Sequence, residues 1–271
     1  MTLMKDYGIM DKASMAKEDR EMKAIQVRGL EIGSGIPKIC APIVGSTPEQ
    51  IKLQAEAIAD SPAQIAEWRC DFAEDEIINA PEEMLAQLRC TLGEKLLLVT
   101  FRTKLEGGAR EISPEAYKQF CESVLGSGQA DLLDLELTAG ERLCNEIICE
   151  AAAAGVHTVI SCHFFDRTPP SEELRNLMLM MERSGASILK LAVMPLNQSD
   201  VLRLMQECHA FSEKTVKPMI FMSMGKMGLM SRLSGELTGS CITFGTVGEA
   251  SAPGQIDVKE LDRILRIVHG E

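Results

Sequence analysis

Apolar runs of strand length recur along the chain, beginning near Ile39, Gln64, Leu96, Gln129, Val156, Ser187, Pro218 and Cys241. Most of the intervals between them hold a stretch of helical periodicity, so strand and helix alternate. Several helix starts are marked by a side-chain oxygen able to accept an orphan backbone N–H. They are Thr47-Pro48-Glu49-Gln50, Ser113-Pro114-Glu115 and Asn197-Gln198-Ser199-Asp200, two of them with Pro at the first helical position. The strands read as near-continuous apolar runs, which predicts a parallel sheet covered by helices. Eight such strands predict an α/β fold of the (β/α)₈ TIM-barrel class. A doubly wound open sheet shows the same alternation, and strand count sets it second. Residues 23–32 read as two short strands around Gly29 that close the N-terminal end, the bottom, of the barrel. With no linker, repeat or composition shift, residues 23–271 form one barrel domain behind a polar lead-in, residues 1–22.

Composition narrows the function. The 271 residues carry a formal net charge of −12, which argues against a basic nucleic-acid surface or an anionic-membrane surface. The longest apolar runs, residues 96–101 and 188–194, fall far short of the roughly 18 residues a membrane-spanning helix needs. The first twenty residues are too charged for a secretory signal, so a cytoplasmic protein is expected. Nine cysteines without a C-x-x-C pair read as reduced core thiols. The four histidines lack metal-ligand spacing, and no metal is expected. Neither G-x-G-x-x-G after a strand nor a P-loop occurs, so the chemistry is expected to run on side chains without a cofactor.

In a barrel of this class the active site gathers where the strands end, and several strands here end in charge. Ile65-Ala66-Glu67-Trp68-Arg69-Cys70-Asp71 places Glu67, Arg69 and Asp71 on one strand face, and Asp134 and Glu136 share a face in the fourth strand. Arg102 ends the third strand and is followed by Glu106-Gly107-Gly108, read as a flexible loop. Such charges fit either a site or a structural ion-pair plug. Lys190 sits within Ile188-Leu189-Lys190-Leu191-Ala192-Val193. Desolvation and nearby cations would favour its neutral amine, which could form a Schiff base with a ketone. A lysine neutralised by a carboxylate of the second or fourth strand fits as well. His163 ends the adjacent fifth strand and is either a general base or structural. Arg232 offers a fork for a carboxylate or a helix-cap ion pair, and Ser251-Ala252-Pro253-Gly254-Gln255 is a ligand-covering loop or an ordinary turn. Met222 and Met224 read first as core.

These residues together resemble the type I 3-dehydroquinate dehydratases. The resemblance rests on Glu67-Trp68-Arg69-Cys70-Asp71, Thr100-Phe101-Arg102 with Glu106-Gly107-Gly108, Asp134-Leu135-Glu136-Leu137, and Ser161-Cys162-His163 with Phe165 and Thr168-Pro169. It continues through Lys190 with Met194-Pro195, Met222-Ser223-Met224-Gly225, Ser231-Arg232 and Ser251-Ala252-Pro253-Gly254-Gln255. It runs in family order from about residue 36 to the end of the sequence. It implies a TIM barrel, commonly a homodimer, that converts 3-dehydroquinate reversibly to 3-dehydroshikimate without metal or organic cofactor. It also implies that Lys190 forms the Schiff base at C3, and that His163 is the base at C2 and the acid for the departing C1 hydroxyl. Glu67 and Arg102 would bind ring hydroxyls, and Arg69 would organise the site and keep Lys190 deprotonated. Arg232, Ser251 and Gln255 would hold the substrate carboxylate. Glu106 would partner an arginine, and Met224 would form an apolar wall. Phe164 stands where relatives often have Asp or Asn, and Cys40-Ala41-Pro42 where some carry Ser. A Schiff-base aldolase and a barrel that binds a cyclic hydroxy acid without turnover are the alternatives. The resemblance leaves open whether the setting is the biosynthetic shikimate pathway or quinate breakdown.

Overall fold

The computed structural model describes residues 24–248 and 254–271. The polar lead-in and Ser251, with its neighbours Ala252 and Pro253, lie outside the described residues. The first two strands, β1 (Ile25–Val27) and β2 (Leu30–Ile32), pair antiparallel. They are joined through Arg28 and Gly29, both with positive φ, the backbone a tight hairpin turn demands.

The eight expected strands follow: β3 (Lys38–Ile43), β4 (Ile65–Arg69), β5 (Leu96–Thr100), β6 (Leu132–Glu136), β7 (His157–Phe164), β8 (Ile188–Val193), β9 (Met219–Ser223) and β10 (Ile242–Thr246). Each pairs in parallel with its sequence neighbour from β3 to β9, and β10 returns to pair with β3. In a doubly wound sheet the first strand lies inside the sheet and the order reverses beside it. Here the last strand meets the first, so the alternative is excluded.

The seam between β9 and β10 is narrow. It consists of the bridge Met219–Ser240, the Cys241 N–H donating to the Met219 carbonyl at 2.7 Å, and the Phe221 N–H donating to Ser240 Oγ at 3.0 Å. A short strand, β11 (Ile256–Asp257), adds in parallel to β10.

Helices cover the outside: α1 (Pro48–Ala59), α2 (Asp75–Asn79), α3 (Glu82–Leu92), α4 (Pro114–Ser127), α5 (Glu141–Ala154), α6 (Ser171–Arg183), α7 (Gln198–Ser212), α8 (Leu229–Leu233), α9 (Gly235–Thr238) and α10 (Val258–His269). The three expected caps form. Thr47 accepts from Gln50 N–H, Ser113 accepts from Ala116 N–H, and Asn197 makes a capping box with Asp200. None of the described helices is long and apolar enough to cross a membrane.

Two apolar cores result. The larger lies between the strands' outer faces and the helices, where Trp68 is buried. The smaller fills the barrel's lower interior with Cys40, Ile65, Leu96, Leu132, Val159, Ile188, Ile220 and Ile242, against which Val27 and Ile32 of the hairpin pack. The hairpin therefore closes the bottom of the barrel, as expected. All nine cysteines are unpaired thiols, seven of them buried. Cys90 and Cys149 lie exposed on α3 and α5, so the expectation of core thiols fails for those two.

The period-two rule now ranks the interior by height. One step above the apolar floor come Glu67, Asp134, Ser161, Lys190, Met222 and Phe244, and one step higher Arg69, Glu136, His163, Ala192 and Met224, while on β5 Leu98 and Thr100 come before Arg102, which lies just past the strand's end. The β7–β8 register, with Ser161 beside Lys190 and His163 beside Ala192, puts the imidazole one layer above the amine. The seam is testable. Ser240→Ala strands the buried Phe221 N–H, which costs about 1–3 kcal/mol and lowers the thermal midpoint by about 3–10 °C. An unchanged midpoint in calorimetry contradicts this account of closure.

Candidate active site

The cavity at the top of the barrel is lined by Glu67, Arg69, Arg102, His163, Lys190, Met224, Arg232 and Gln255, together with Phe72, Gly107, Phe165, Ala192, Met222 and Phe244. Of the expected site residues, the structure brings together all that it describes except Glu106, which stands directly behind His163.

Lys190 is buried in the middle layer. Its Nζ donates to Glu67 Oε1 at 3.1 Å and to Asp134 Oδ2 at 3.0 Å, and lies 4.9 Å from the centre of the Phe244 ring. Burial pushes the amine's pKa down, but the charges of Asp134 and Glu67 outweigh it, and the ammonium is held above the usual lysine range. Of the two forms the sequence left open, these contacts favour the lysine paired with carboxylates of the second and fourth expected strands, as an ammonium. Among the charges around it, Arg102 works against its protonation.

Asp134 is the hub below the cavity. Its Oδ1 accepts from Arg102 Nη2 at 3.0 Å and Ser161 Oγ at 2.7 Å. Burial alone would raise its pKa, yet Arg102 and Lys190 hold it below the usual carboxylate range. Arg102 spends the rest of its fork on Glu136 at 2.7 Å and Ser161 at 3.0 Å, with Glu106 at 3.5 Å. Burial works against its charge, and these carboxylates more than restore it, leaving Arg102 above its usual range.

Glu106 pairs with His163 as well as with Arg102. Its Oε2 lies 2.8 Å from His163 Nδ1 and its Oε1 accepts from Thr138 Oγ1 at 2.6 Å. When ionised, Glu106 only accepts, and this contact then places the imidazole N–H on Nδ1 and leaves Nε2 for the cavity. Burial, with Arg102, Lys190 and Arg69 nearby, holds His163 neutral, well below its usual pKa. Burial raises Glu106 to about 7 against the pull of Arg102. The Phe165 ring stacks on the imidazole, with centroids 6.5 Å apart.

Asp71 sits in a single 3₁₀ turn, Cys70–Phe72, at the end of β4, where the strand had been expected to continue. It is fully buried and grips Arg69 with two hydrogen bonds of 2.8 Å. It also accepts from the N–H groups of Arg102 at 3.3 Å and Ala109 at 3.0 Å. The loop after β5 is thus tied down, correcting its reading as flexible. Its glycines are required by crowding: a Cβ on Gly107 would lie 2.3 Å from the Phe165 ring, and one on Gly108 would lie 1.8 Å from the Arg102 carbonyl oxygen.

On the other wall, Arg232 enters from α8 with Nη1 3.7 Å from Met222 Sδ. Burial pushes its pKa down to about 10, so it remains a cation in a mainly apolar lining of Met222, Met224 and Phe244. Met224 is buried and forms part of that wall. Asp71, Asp134, Glu136, Ser161 and Thr138 contribute without a site role assigned from the sequence. Asp134 was visible as an inward charge and a fourth-strand carboxylate as a partner for Lys190, but its bonds to Arg102 and Ser161 were not. Ser161 and Thr138 carry no pattern that separates them from ordinary polar residues.

Residues 39–271 match the family described as type I 3-dehydroquinase. The 3-dehydroquinate dehydratase of Syntrophotalea carbinolica is 42% identical over 250 residues, covering 92% of this chain and 99% of that protein. That of Clostridium novyi is 40% identical with the same coverage. Among solved structures, the type I enzyme from Clostridium difficile with covalent modified comenic acid superposes with a TM-score of 0.88 at 40% identity, covering 91% of this chain and 98% of that one. The Geobacillus kaustophilus enzyme gives the same TM-score at 36% identity, covering 92% and 97%. With the family model spanning most of its length and relatives of 40–42% identity covered almost end to end, this chain belongs to the type I 3-dehydroquinase family.

Proposed function

We propose that the chain dehydrates 3-dehydroquinate through a Schiff base on Lys190, with His163 moving the proton. One observation carries this reading: a buried lysine and a neutral imidazole, backed by a buried glutamate, line one cavity from adjacent strands. Lys190 attacks the C3 ketone, and the resulting iminium draws electrons from C2. His163 takes the C2 proton through Nε2, and Glu106 offsets the charge that the imidazolium gains. The imidazolium then protonates the C1 hydroxyl as it leaves on the same face, a syn elimination. Hydrolysis of the product iminium frees Lys190.

Arg232 and Gln255, with Ser251 beyond the described residues, hold the substrate carboxylate, and the apolar wall around Arg232 strengthens that attraction. Glu67, Arg69 and Arg102 face the ring hydroxyls. Family membership removes the aldolase alternative, and the presence of both proposed reacting groups in one cavity speaks against a binding-only protein. The same reading includes a homodimer in the cytoplasm, supported by the family resemblance and by nine unpaired cysteines.

The reading predicts that borohydride with 3-dehydroquinate adds the reduced substrate's mass to the peptide containing Lys190. Lys190→Ala is expected to abolish both trapping and turnover, and labelling at another lysine contradicts the assignment. His163→Ala retains trapping while elimination slows by about 10²- to 10⁴-fold. Equal loss of trapping makes the imidazole an attachment group.

Glu106 supplies a linked pair of readouts. Its carboxyl takes up protons in the folded state at pH values where the unfolded chain, near the usual 4.5, has lost them. Stability therefore falls as pH rises from about 4.5 through about 7. Glu106→Gln lacks that penalty, so its stability relative to the parent rises over this window by up to about 3 kcal/mol and is constant above it. The same variant is expected to lose the acidic limb of kcat/KM near neutrality that belongs to the Glu106–His163 pair, and to run at least about tenfold slower. A stability difference independent of pH contradicts the raised pKa.

A further inference from the structure

A lysine held as an ammonium by two carboxylates is a poor nucleophile until a proton leaves it. The two carboxylates are not equivalent. Asp134 is 1% exposed, does not reach the cavity wall, and has Oδ1 taken up by Arg102 and Ser161 while Oδ2 holds Lys190. Glu67 does line the cavity. Its Oε1 takes Lys190 Nζ at 3.1 Å and Thr100 Oγ1 at 3.0 Å, and among the described residues no hydrogen bond holds Oε2. The titratable and charged groups facing this pair from the surrounding strands are Arg102, Asp134 and, one layer higher, His163, and Cys40 packs beneath it as a buried thiol.

We propose that Glu67 is the acid–base group for making and breaking the imine, while Asp134 is the permanent counter-ion of Lys190. This inference rests on the reading of Lys190 as the nucleophile and goes beyond a hydroxyl-binding role for Glu67.

The Lys190 ammonium gives a proton to the Glu67 carboxylate. The freed lone pair forms the C–N bond to the ketone carbon, and the carbonyl π pair moves to oxygen. That oxygen takes a proton from the nitrogen, giving a neutral carbinolamine. The Glu67 acid then protonates the hydroxyl, the C–O bond breaks, water leaves, and the nitrogen lone pair closes the C=N bond. Three protons on nitrogen become one on the iminium and two in water, and Glu67 ends as the carboxylate it began as. An ammonium has been exchanged for an iminium, so the site's charge is unchanged and Asp134 attracts the product of the step as it attracted the reactant. Product release runs the same steps backwards.

The test is rapid-quench borohydride trapping at saturating 3-dehydroquinate, comparing the parent enzyme with Glu67→Gln, read by the mass of the peptide containing Lys190. The variant is isosteric and leaves Lys190 paired with Asp134, so the barrel keeps its central ion pair. At neutral pH imine formation is expected to slow by about 10²- to 10⁴-fold and to recover as pH rises and solvent takes over the proton. A merely structural or hydroxyl-binding Glu67 predicts the reverse sign. Removing one carboxylate would then free the amine more easily, leaving trapping as fast or faster, with only KM raised. That result overturns the inference. No adduct on Lys190 in the parent enzyme overturns the nucleophile reading and this inference with it, whereas a normal adduct in both proteins removes the inference alone.

Discussion

The active site depends on one buried cation between two buried anions. An isolated ammonium inside a barrel is so costly that Lys190 exists there only because Glu67 meets it from across the barrel and Asp134 from two strands away. The same arrangement then dictates the chemistry. Forming a Schiff base from an ammonium conserves charge, so the carboxylates that hold the lysine protonated are equally matched to the iminium. The apparent obstacle to nucleophilicity stabilises the intermediate, and what the site must supply is a route for protons.

The remaining polar groups extend that constraint upward. Asp134 needs Arg102, and Arg102 in turn needs Glu136 and Glu106. Glu106 orients the imidazole through Nδ1. Asp71 secures the loop that carries Arg102 and Glu106 while gripping Arg69. A chain of alternating charges thus runs from the floor of the site to its rim. Each member fixes the next, which is how a reactive geometry is kept within tolerance on a rigid scaffold.

Much of this was legible in the sequence because periodicity reports which way a strand residue faces. Alternation put Glu67, Arg69, Asp134, Glu136, Lys190 and His163 on inward faces, and cap residues such as Thr47, Ser113 and Asn197 marked where helices begin. Pairing across the barrel was not legible, because it depends on the height of each residue in its own strand. Lys190 could be read as neutral or as neutralised, and only the Glu67 and Asp134 distances decide. Asp71 looked like a strand residue because nothing in the local pattern announces the turn at Cys70. The apparent looseness of Gly107-Gly108 came from composition, whereas the packing of Phe165 and the Arg102 carbonyl against them gives those glycines a steric purpose.

The most direct test of the charged resting lysine is ¹⁵N NMR of protein labelled at lysine Nζ, assigned by comparison with Lys190→Arg, without substrate. The account predicts an ammonium resonance for Lys190 that stays unchanged from pH 6 to pH 9. A neutral-amine shift, or a titration midpoint within that range, would contradict it.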